Sequence, residues 1–125
     1  METLALEDGN YVLLERHLAR LCASAEHFGF PCDRGSIGAA LAAASATHPR
    51  GAFRVRLLLD RQGKARAEAH PLEPTAEPAA VVLADRPIEA EAEFLLHKTT
   101  ERSAYAPFSP PPGVFDTLLW NARGE

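Results

Sequence analysis

The side chains that could do chemistry are few and scattered along the chain. The five histidines include no i,i+4 pair, and Cys22 and Cys32 are separated by ten positions. Neither arrangement has the spacing of a metal site, so the sequence predicts no bound metal. It also contains no glycine-rich phosphate loop and no G-x-S-x-G nucleophile turn. The chemistry must therefore come from single residues, of which Lys98 and Arg20 are the first candidates.

Lys98 and Arg20 offer two different kinds of chemistry. A lysine amine that is neutral at the working pH can attack a carbonyl carbon, and burial or a nearby positive charge can make a lysine neutral. An arginine guanidinium is planar and can donate two parallel hydrogen bonds to a phosphate group. Taken singly, each residue is more typical of a solvated surface charge, so the elements that position them matter.

Composition and charge narrow the class of protein. With 125 residues, of which 46% are hydrophobic, the chain suits one globular domain. The net charge is -4, and the sequence has no run of like charges. Both features argue against nucleic acid as the main partner. No apolar stretch approaches the roughly 18 residues of a membrane span, and METLALEDGN lacks the basic region of a secretory signal. We therefore expect a cytoplasmic protein whose two cysteines are buried thiols.

Two helices are the clearest elements, and METLALEDGN predicts a strand before them that turns at residues 8–10. The first helix has an apolar face made of residues that recur at helical spacing: Leu14, Leu18, Leu21, Ala25 and Phe28. Gly29 and Pro31 end this helix. Asp33 is expected to cap a second helix that runs to about residue 48.

The rest of the chain predicts mainly strands. In AFRVRLLLD, apolar and arginine residues alternate, as they do in a strand with one buried face. Gln62-Gly63 predicts a hairpin turn into KARAEAHPL. AAVVLADRPI predicts a third strand, EAEAEFLLHKTTERSAY a helix or an irregular approach to one, and FDTLLWNARGE a last strand after a proline-rich connector. The sequence thus predicts an α+β fold with helices packed on a mainly antiparallel sheet.

Two segments resemble a known enzyme family. LLHKTTERSAY, followed further on by FDTLLWNARGE, resembles the cofactor-lysine region of aminodeoxychorismate lyases. LLERHLARLCASAEHFGFP resembles the first long helix of the same family, with its H-x-x-R-L signature, and METLALEDGN resembles the stretch that leads into it. These lyases are fold-type IV, pyridoxal-phosphate-dependent enzymes of the class IV aminotransferase family. The resemblance covers practically the whole chain and is closest to lyases fused behind the synthase component that makes their substrate.

The resemblance implies roles for three residues. Lys98 would form the covalent bond to pyridoxal phosphate and then carry a proton. Arg20 would bind the cofactor phosphate, and it lies off the apolar helix face, as a ligand-facing side chain can. Arg102 would support the site. Tyr105 matches no family position, and we expect it in the core.

The resemblance also implies how the chain is organised. Residues 1–106 would form the small N-terminal α+β domain of the family, and residues 107–125 would form a connector and the first strand of a larger domain. The acid that pairs with the cofactor's pyridine nitrogen would follow residue 125, and a further strand would precede Glu2. We therefore expect a chain that is trimmed at both ends and has no complete active site by itself.

The function implied for the intact protein is the conversion of 4-amino-4-deoxychorismate to 4-aminobenzoate and pyruvate for folate synthesis. Its partners would be this small-molecule substrate, a second copy in a homodimer, and the synthase component, fused or associated. One alternative is a branched-chain or D-amino-acid aminotransferase, although the lysine segments of those enzymes are usually richer in glycine and asparagine than HKTTER. Two others are a non-catalytic assembly domain and a binding module unrelated to the cofactor.

Overall fold

A computed structural model describes residues 1–75 and 77–125, apart from the Ala92 side chain. The chain separates into two compact units, Met1–Glu73 and Pro74–Glu125. The first unit contains the two long helices and a four-stranded sheet, and the second contains shorter elements. None of the helices in the described part of the chain has the length and apolar character that crossing a bilayer requires.

The sheet of the first unit is antiparallel throughout. Its strands are β1 (Glu2–Glu7), β2 (Asn10–Tyr11), β3 (Ala52–Leu59) and β4 (Ala65–Pro71), in the order β2-β1-β3-β4. β1 pairs with β3 along its whole length. The predicted turn at residues 8–10 joins β1 to β2, and the predicted turn at Gln62-Gly63 joins β3 to β4. Both turn predictions are confirmed.

Two helices, α1 (Leu14–His27) and α2 (Arg34–Thr47), pack on this sheet. The Asp33 side chain accepts hydrogen bonds from the backbone N–H groups of Gly35 and Ser36, at 3.0 and 3.1 Å. This is the predicted N-cap of the second helix. The core combines side chains from both helices and from the two central strands: Leu4, Leu6, Leu18, Leu21, Ile37, Leu41, Val55 and Leu57. The predicted fold, helices on a mainly antiparallel sheet, is confirmed.

Cys22 and Cys32 form a disulfide, so the prediction of two buried thiols is wrong. Cys22 lies in α1, and the chain reverses direction after that helix at Gly29, whose φ of 69° is left-handed. The reversal brings the Cα atoms of the two cysteines to 5.6 Å, a distance that a disulfide spans. The turn, and not the sequence spacing, sets this distance. Because disulfides are rare in cytosolic proteins, the cysteines do not support the predicted cytoplasmic location.

The second unit is built from short elements. β5 (Val81–Leu83) and β6 (Asp116–Leu118) pair in parallel. Between them in the sequence lie α3 (Ala92–Leu96) and a 3-10 helix over Ser103–Phe108. The Trp120 indole N–H donates a hydrogen bond to the Ala84 carbonyl at 2.9 Å and secures the chain after β6. The third and last predicted strands are therefore present, although each is shorter than its apolar segment.

Candidate functional site

The first unit contains a buried carboxylate, that of Glu2. Alternate residues of β1 face the core, so Glu2 lies on the same face as Leu4 and Leu6. The Glu2 side chain is 1% exposed. Burying a carboxylate costs free energy unless its oxygens accept hydrogen bonds. The donors that satisfy Glu2 come from α1.

α1 brings Arg20 and His17 to the Glu2 carboxylate. The two residues are three positions apart, so they are neighbours on one face of the helix. Arg20 Nε donates to Oε1 of Glu2 at 2.6 Å, and Arg20 Nη2 donates to Oε2 at 2.5 Å. His17 Nδ1 lies 2.8 Å from the same Oε2. Three nitrogen atoms thus meet one carboxylate.

The charges in this cluster stabilise one another. Burial raises the pKa of the Glu2 carboxyl, but the hydrogen bonds from Arg20 and His17, together with the electrostatic effect of these two side chains, outweigh burial and hold that pKa below its usual value. The hydrogen bond to Glu2 raises the pKa of Arg20, against an opposing effect of burial. Glu2 is therefore an ionised carboxylate and can only accept hydrogen bonds. It follows that Nδ1 of His17 carries the proton.

Arg20 presents part of its guanidinium to solvent. Its side chain is 53% exposed, and its hydrogen bonds to the described residues go to Glu2. A guanidinium has five N–H groups in one plane. The edge formed by Nη1 and Nη2 therefore retains donors that two oxygens of a phosphate can accept. This arrangement can bind an oxyanion.

Lys98 and Arg102 belong to the second unit. Lys98 follows α3 directly after His97, the residue that ends the helix, and its side chain is exposed. Arg102 is also exposed, and its guanidinium carbon lies 4.5 Å from the ring centroid of Tyr105, within the range of a cation–π contact. Tyr105 is only half-buried, so its predicted place in the core is wrong. The roles of Lys98, Arg20 and Arg102 stay predictions.

The second unit also contains a cavity of about 330 Å³ that no sequence motif indicates. Its lining comes from the segment before α3 and from the 3-10 helix: Arg86, Pro87, Glu89, Ala104, Pro107 and Phe108. None of the three predicted site residues is among them. Within residues 1–75 and 77–125, no group of three or more histidine, cysteine or acidic side chains could hold a metal ion.

Sequence reasoning assigns no role to Glu2 or to His17, although His17 is the histidine of the H-x-x-R-L signature. The signal for Glu2 is its place in the strand pattern. It lies two residues before Leu4 and four before Leu6, on the face where a half-buried strand normally has apolar residues. The signal for His17 is its spacing of three from Arg20. Their meeting depends on the packing of α1 against β1, and neither pattern contains that information.

Comparison with known proteins identifies the family of the chain. The family model described as amino-transferase class IV matches residues 1–112, a span that includes Arg20 and Lys98. The chain belongs to the amino-transferase class IV family. No curated protein matches the sequence.

Solved structures share the fold over nearly the whole chain. A protein from Mesorhizobium loti, assigned as an amino-acid aminotransferase, is 36% identical with a TM-score of 0.85, over 99% of this chain and 62% of its own. The 4-amino-4-deoxychorismate lyase from Pseudomonas aeruginosa is 20% identical with a TM-score of 0.73, over 98% of this chain and 52% of its own. Another protein assigned as such a lyase is 25% identical with a TM-score of 0.70, over 98% of this chain and 53% of its own.

These likenesses confirm the predicted fold, that of the N-terminal domain of the fold-type IV enzymes. At 20% identity the Pseudomonas aeruginosa lyase shows the fold alone. The chain spans less than two thirds of the length of each of these three structures.

Proposed function

We propose that this chain is the N-terminal part of a pyridoxal-phosphate-dependent enzyme that converts 4-amino-4-deoxychorismate to 4-aminobenzoate and pyruvate. The observation that supports the cofactor is the family match over residues 1–112, because that span includes both Lys98 and Arg20. The HKTTER segment around Lys98 supports the lyase reaction. We further propose that the 125 residues turn over no substrate by themselves. The support for this is that the chain covers 62% or less of each of the three solved relatives.

The donor groups of the chain fit this cofactor. The phosphate of pyridoxal phosphate is an oxyanion, and Arg20 presents a guanidinium edge to solvent while Glu2 holds its other edge. The Lys98 side chain is an exposed primary amine, the group that forms a bond with the aldehyde carbon of the cofactor. Arg102 adds a second positive charge four positions beyond Lys98 and is the weakest of the three assignments.

The residues would divide the work of the reaction. When bound, pyridoxal phosphate supplies an electron sink for the carbon that carries the substrate amine. Lys98 would hold the cofactor between turnovers and give up its place to the substrate amine. The released Nζ of Lys98 would then carry the proton that moves before pyruvate leaves. Arg20 would keep the phosphate bound while the link to Lys98 is open.

Borohydride trapping tests the cofactor assignment. The complete protein is incubated with pyridoxal phosphate, reduced, digested and analysed by mass spectrometry, and we expect the added mass on the peptide that contains Lys98. Lys64 is the matched control, because it is the other lysine of the sequence and its side chain is also exposed. Lys98→Ala should abolish the labelling, and Lys64→Ala should preserve it. Stoichiometric label at Lys64, or none at Lys98, would show that the assignment is wrong.

An amino-acid aminotransferase is the second candidate. The observation in its favour is the 36% identity to the Mesorhizobium loti protein, compared with 20% and 25% for the two lyase-related structures. The two reactions differ in their need for a second substrate. Formation of 4-aminobenzoate from 4-amino-4-deoxychorismate without a keto acid supports the lyase. Transfer of an amino group from an amino acid to a keto acid, without 4-aminobenzoate formation, supports the aminotransferase.

A further inference from the structure

We propose that Glu2 is the positioning residue for Arg20, because its carboxylate holds one edge of the guanidinium and turns the other edge toward a phosphate group. This inference rests on the proposed function, in which Arg20 binds the phosphate of the cofactor. It adds a residue that would not touch the cofactor and would act through Arg20 alone.

The position of Glu2 argues against a role in stability alone. Glu2 lies on the core-facing side of β1 with Leu4 and Leu6, and its side chain is 1% exposed. An apolar side chain at such a position is usually at least as stabilising as a buried ion pair, because the carboxylate must give up its hydration. A charge at this position therefore indicates a requirement other than packing.

The contact atoms show what the carboxylate does to Arg20. Nε and Nη2 of Arg20 point to Oε1 and Oε2 of Glu2, so the side edge of the guanidinium is occupied. The end edge, formed by Nη1 and the second N–H of Nη2, faces away from that carboxylate because the group is planar. With the side chain 53% exposed, two parallel N–H groups of the end edge can reach two oxygens of one phosphate.

His17 holds the carboxylate in turn. Its Nδ1 lies 2.8 Å from Oε2 of Glu2, and the His17 side chain is 20% exposed. With one oxygen bonded to two donors and the other bonded to one, the carboxylate is restrained on both sides. The orientation of Arg20 is therefore determined before any ligand binds, which spares the entropy cost of ordering a long side chain on binding.

Positioning and simple electrostatics predict opposite effects of removing the Glu2 charge. A carboxylate beside Arg20 repels a phosphate dianion, so charge alone would make Glu2→Gln bind phosphate more tightly. If positioning dominates, Glu2→Gln weakens phosphate binding because Arg20 loses its fixed orientation. The sign of the change therefore separates the two effects.

The test compares pyridoxal phosphate with pyridoxal, which has the aldehyde but no phosphate. Dissociation constants of both are measured on the complete protein by absorbance titration, and their ratio gives the preference for phosphate. We expect Glu2→Gln to reduce this preference by about three- to tenfold, the cost of immobilising one flexible side chain, with pyridoxal binding unchanged.

His17→Ala should also reduce the preference for phosphate, but by less, and it replaces Glu2→Gln as the test if that variant does not fold. Glu68→Gln, which removes a carboxylate on β4 that pairs with Arg66, should leave it unchanged.

Arg20→Ala supplies the remaining control, because Glu2→Gln should have no further effect on the preference in that background. An unchanged or increased preference in Glu2→Gln would overturn the proposal. So would an equal loss for both ligands in a folded Glu2→Gln protein, because Glu2 would then not act through the phosphate, or a wild-type protein with no preference for the phosphorylated form. Borohydride trapping at Lys98 reports on the proposed function separately. If trapping fails while Glu2→Gln still lowers the phosphate preference, positioning stands and the cofactor chemistry is wrong.

Discussion

The Glu2 carboxylate and the Arg20 guanidinium form a two-point pair, with Nε on Oε1 at 2.6 Å and Nη2 on Oε2 at 2.5 Å. The pair connects the start of β1 to the middle of α1. Glu2 is buried and Arg20 is 53% exposed, so the pair links a group in the core to a cation at the surface. Both the stability of the first unit and any anion binding at Arg20 should therefore depend on the charge of Glu2.

We expect the stabilisation by Glu2 to be lost in acid. The pKa of Glu2 in the folded protein lies below its ordinary value of 4.5, so the unfolded state binds more protons in the interval between the two values. The stabilisation is then complete above 4.5 and disappears as the pH falls through the lower, folded value. Glu2→Gln should reduce the free energy of unfolding at neutral pH by about 1–3 kcal/mol, the cost of an unsatisfied buried polar group.

Urea titrations of the wild type and Glu2→Gln between about pH 3 and pH 7 measure this difference. The gap between the two proteins should be widest at neutral pH and should narrow in acid. Glu15→Gln is the control, because it removes a carboxylate from a surface pair with Arg34 in which both side chains are more than half exposed, and it should cost less than about 1 kcal/mol. A gap for Glu2→Gln that is the same at all pH values would mean that ionisation of Glu2 does not contribute.

Arg20→Lys should impair phosphate recognition although it keeps the positive charge. A lysine ammonium is a point charge without a planar fork, so it cannot pair with the Glu2 carboxylate along one edge and with a phosphate along the other. We expect the dissociation constant for pyridoxal phosphate to rise about tenfold, the equivalent of one charge-assisted hydrogen bond. Binding of pyridoxal should not change. Arg16→Lys, one helical turn earlier and exposed, should leave both constants as they are.

The local part of the fold could be predicted from the sequence. The apolar face of α1, the Asp33 cap and the turn at Gln62-Gly63 each depend on residues close together in the chain, and each is confirmed. α3 is an intermediate case. Its segment has helical composition, but the helix ends after five residues. A short 3-10 helix that includes Pro107 follows further on.

Contacts between distant residues could not be predicted in the same way. The parallel pairing of β5 with β6 joins segments more than thirty positions apart, and alternation along each strand says nothing about its partner. The Cys22–Cys32 disulfide depends on the reversal at Gly29. Glu2 is a further example. The strand pattern marks a charged residue on the core-facing side as unusual, but it does not identify the partners of Glu2 on α1, which depend on how the helix packs.

The disulfide between Cys22 and Cys32 should contribute measurably to stability. It closes a loop of about ten residues between α1 and α2, for which the loss of unfolded-state entropy corresponds to about 2–3 kcal/mol. Urea unfolding of the wild type with and without a thiol reductant should show this difference. The double variant Cys22→Ala with Cys32→Ala should unfold identically in both conditions. Two free thiols in the native protein, counted by alkylation and mass spectrometry, would contradict the bond.

Gly63 should tolerate no side chain, for two separable reasons. Its φ is +79°, which costs a non-glycine residue about 1–2 kcal/mol. A Cβ atom on Gly63 would also lie 2.8 Å from Pro31 Cβ and 3.0 Å from the Pro31 carbonyl oxygen, so the β3–β4 turn and the loop before α2 would have to separate. We expect Gly63→Ala to lower the free energy of unfolding by about 2 kcal/mol or more, given the strain and the clash together.

Substitutions at two other glycines separate the cost of the positive φ from the cost of the contact with Pro31. Gly29 has a φ of +69° but nothing within 4 Å of its Cβ position, so Gly29→Ala should show the backbone cost alone. Gly38 lies inside α2, also in open space, and Gly38→Ala should stabilise the protein by about 0.5–1 kcal/mol because alanine is the better helix former. Equal losses for Gly63→Ala and Gly29→Ala would mean that Pro31 yields at no cost. A larger loss at Gly63 would show that the loop joining α1 to α2 is held rigidly against the β3–β4 turn.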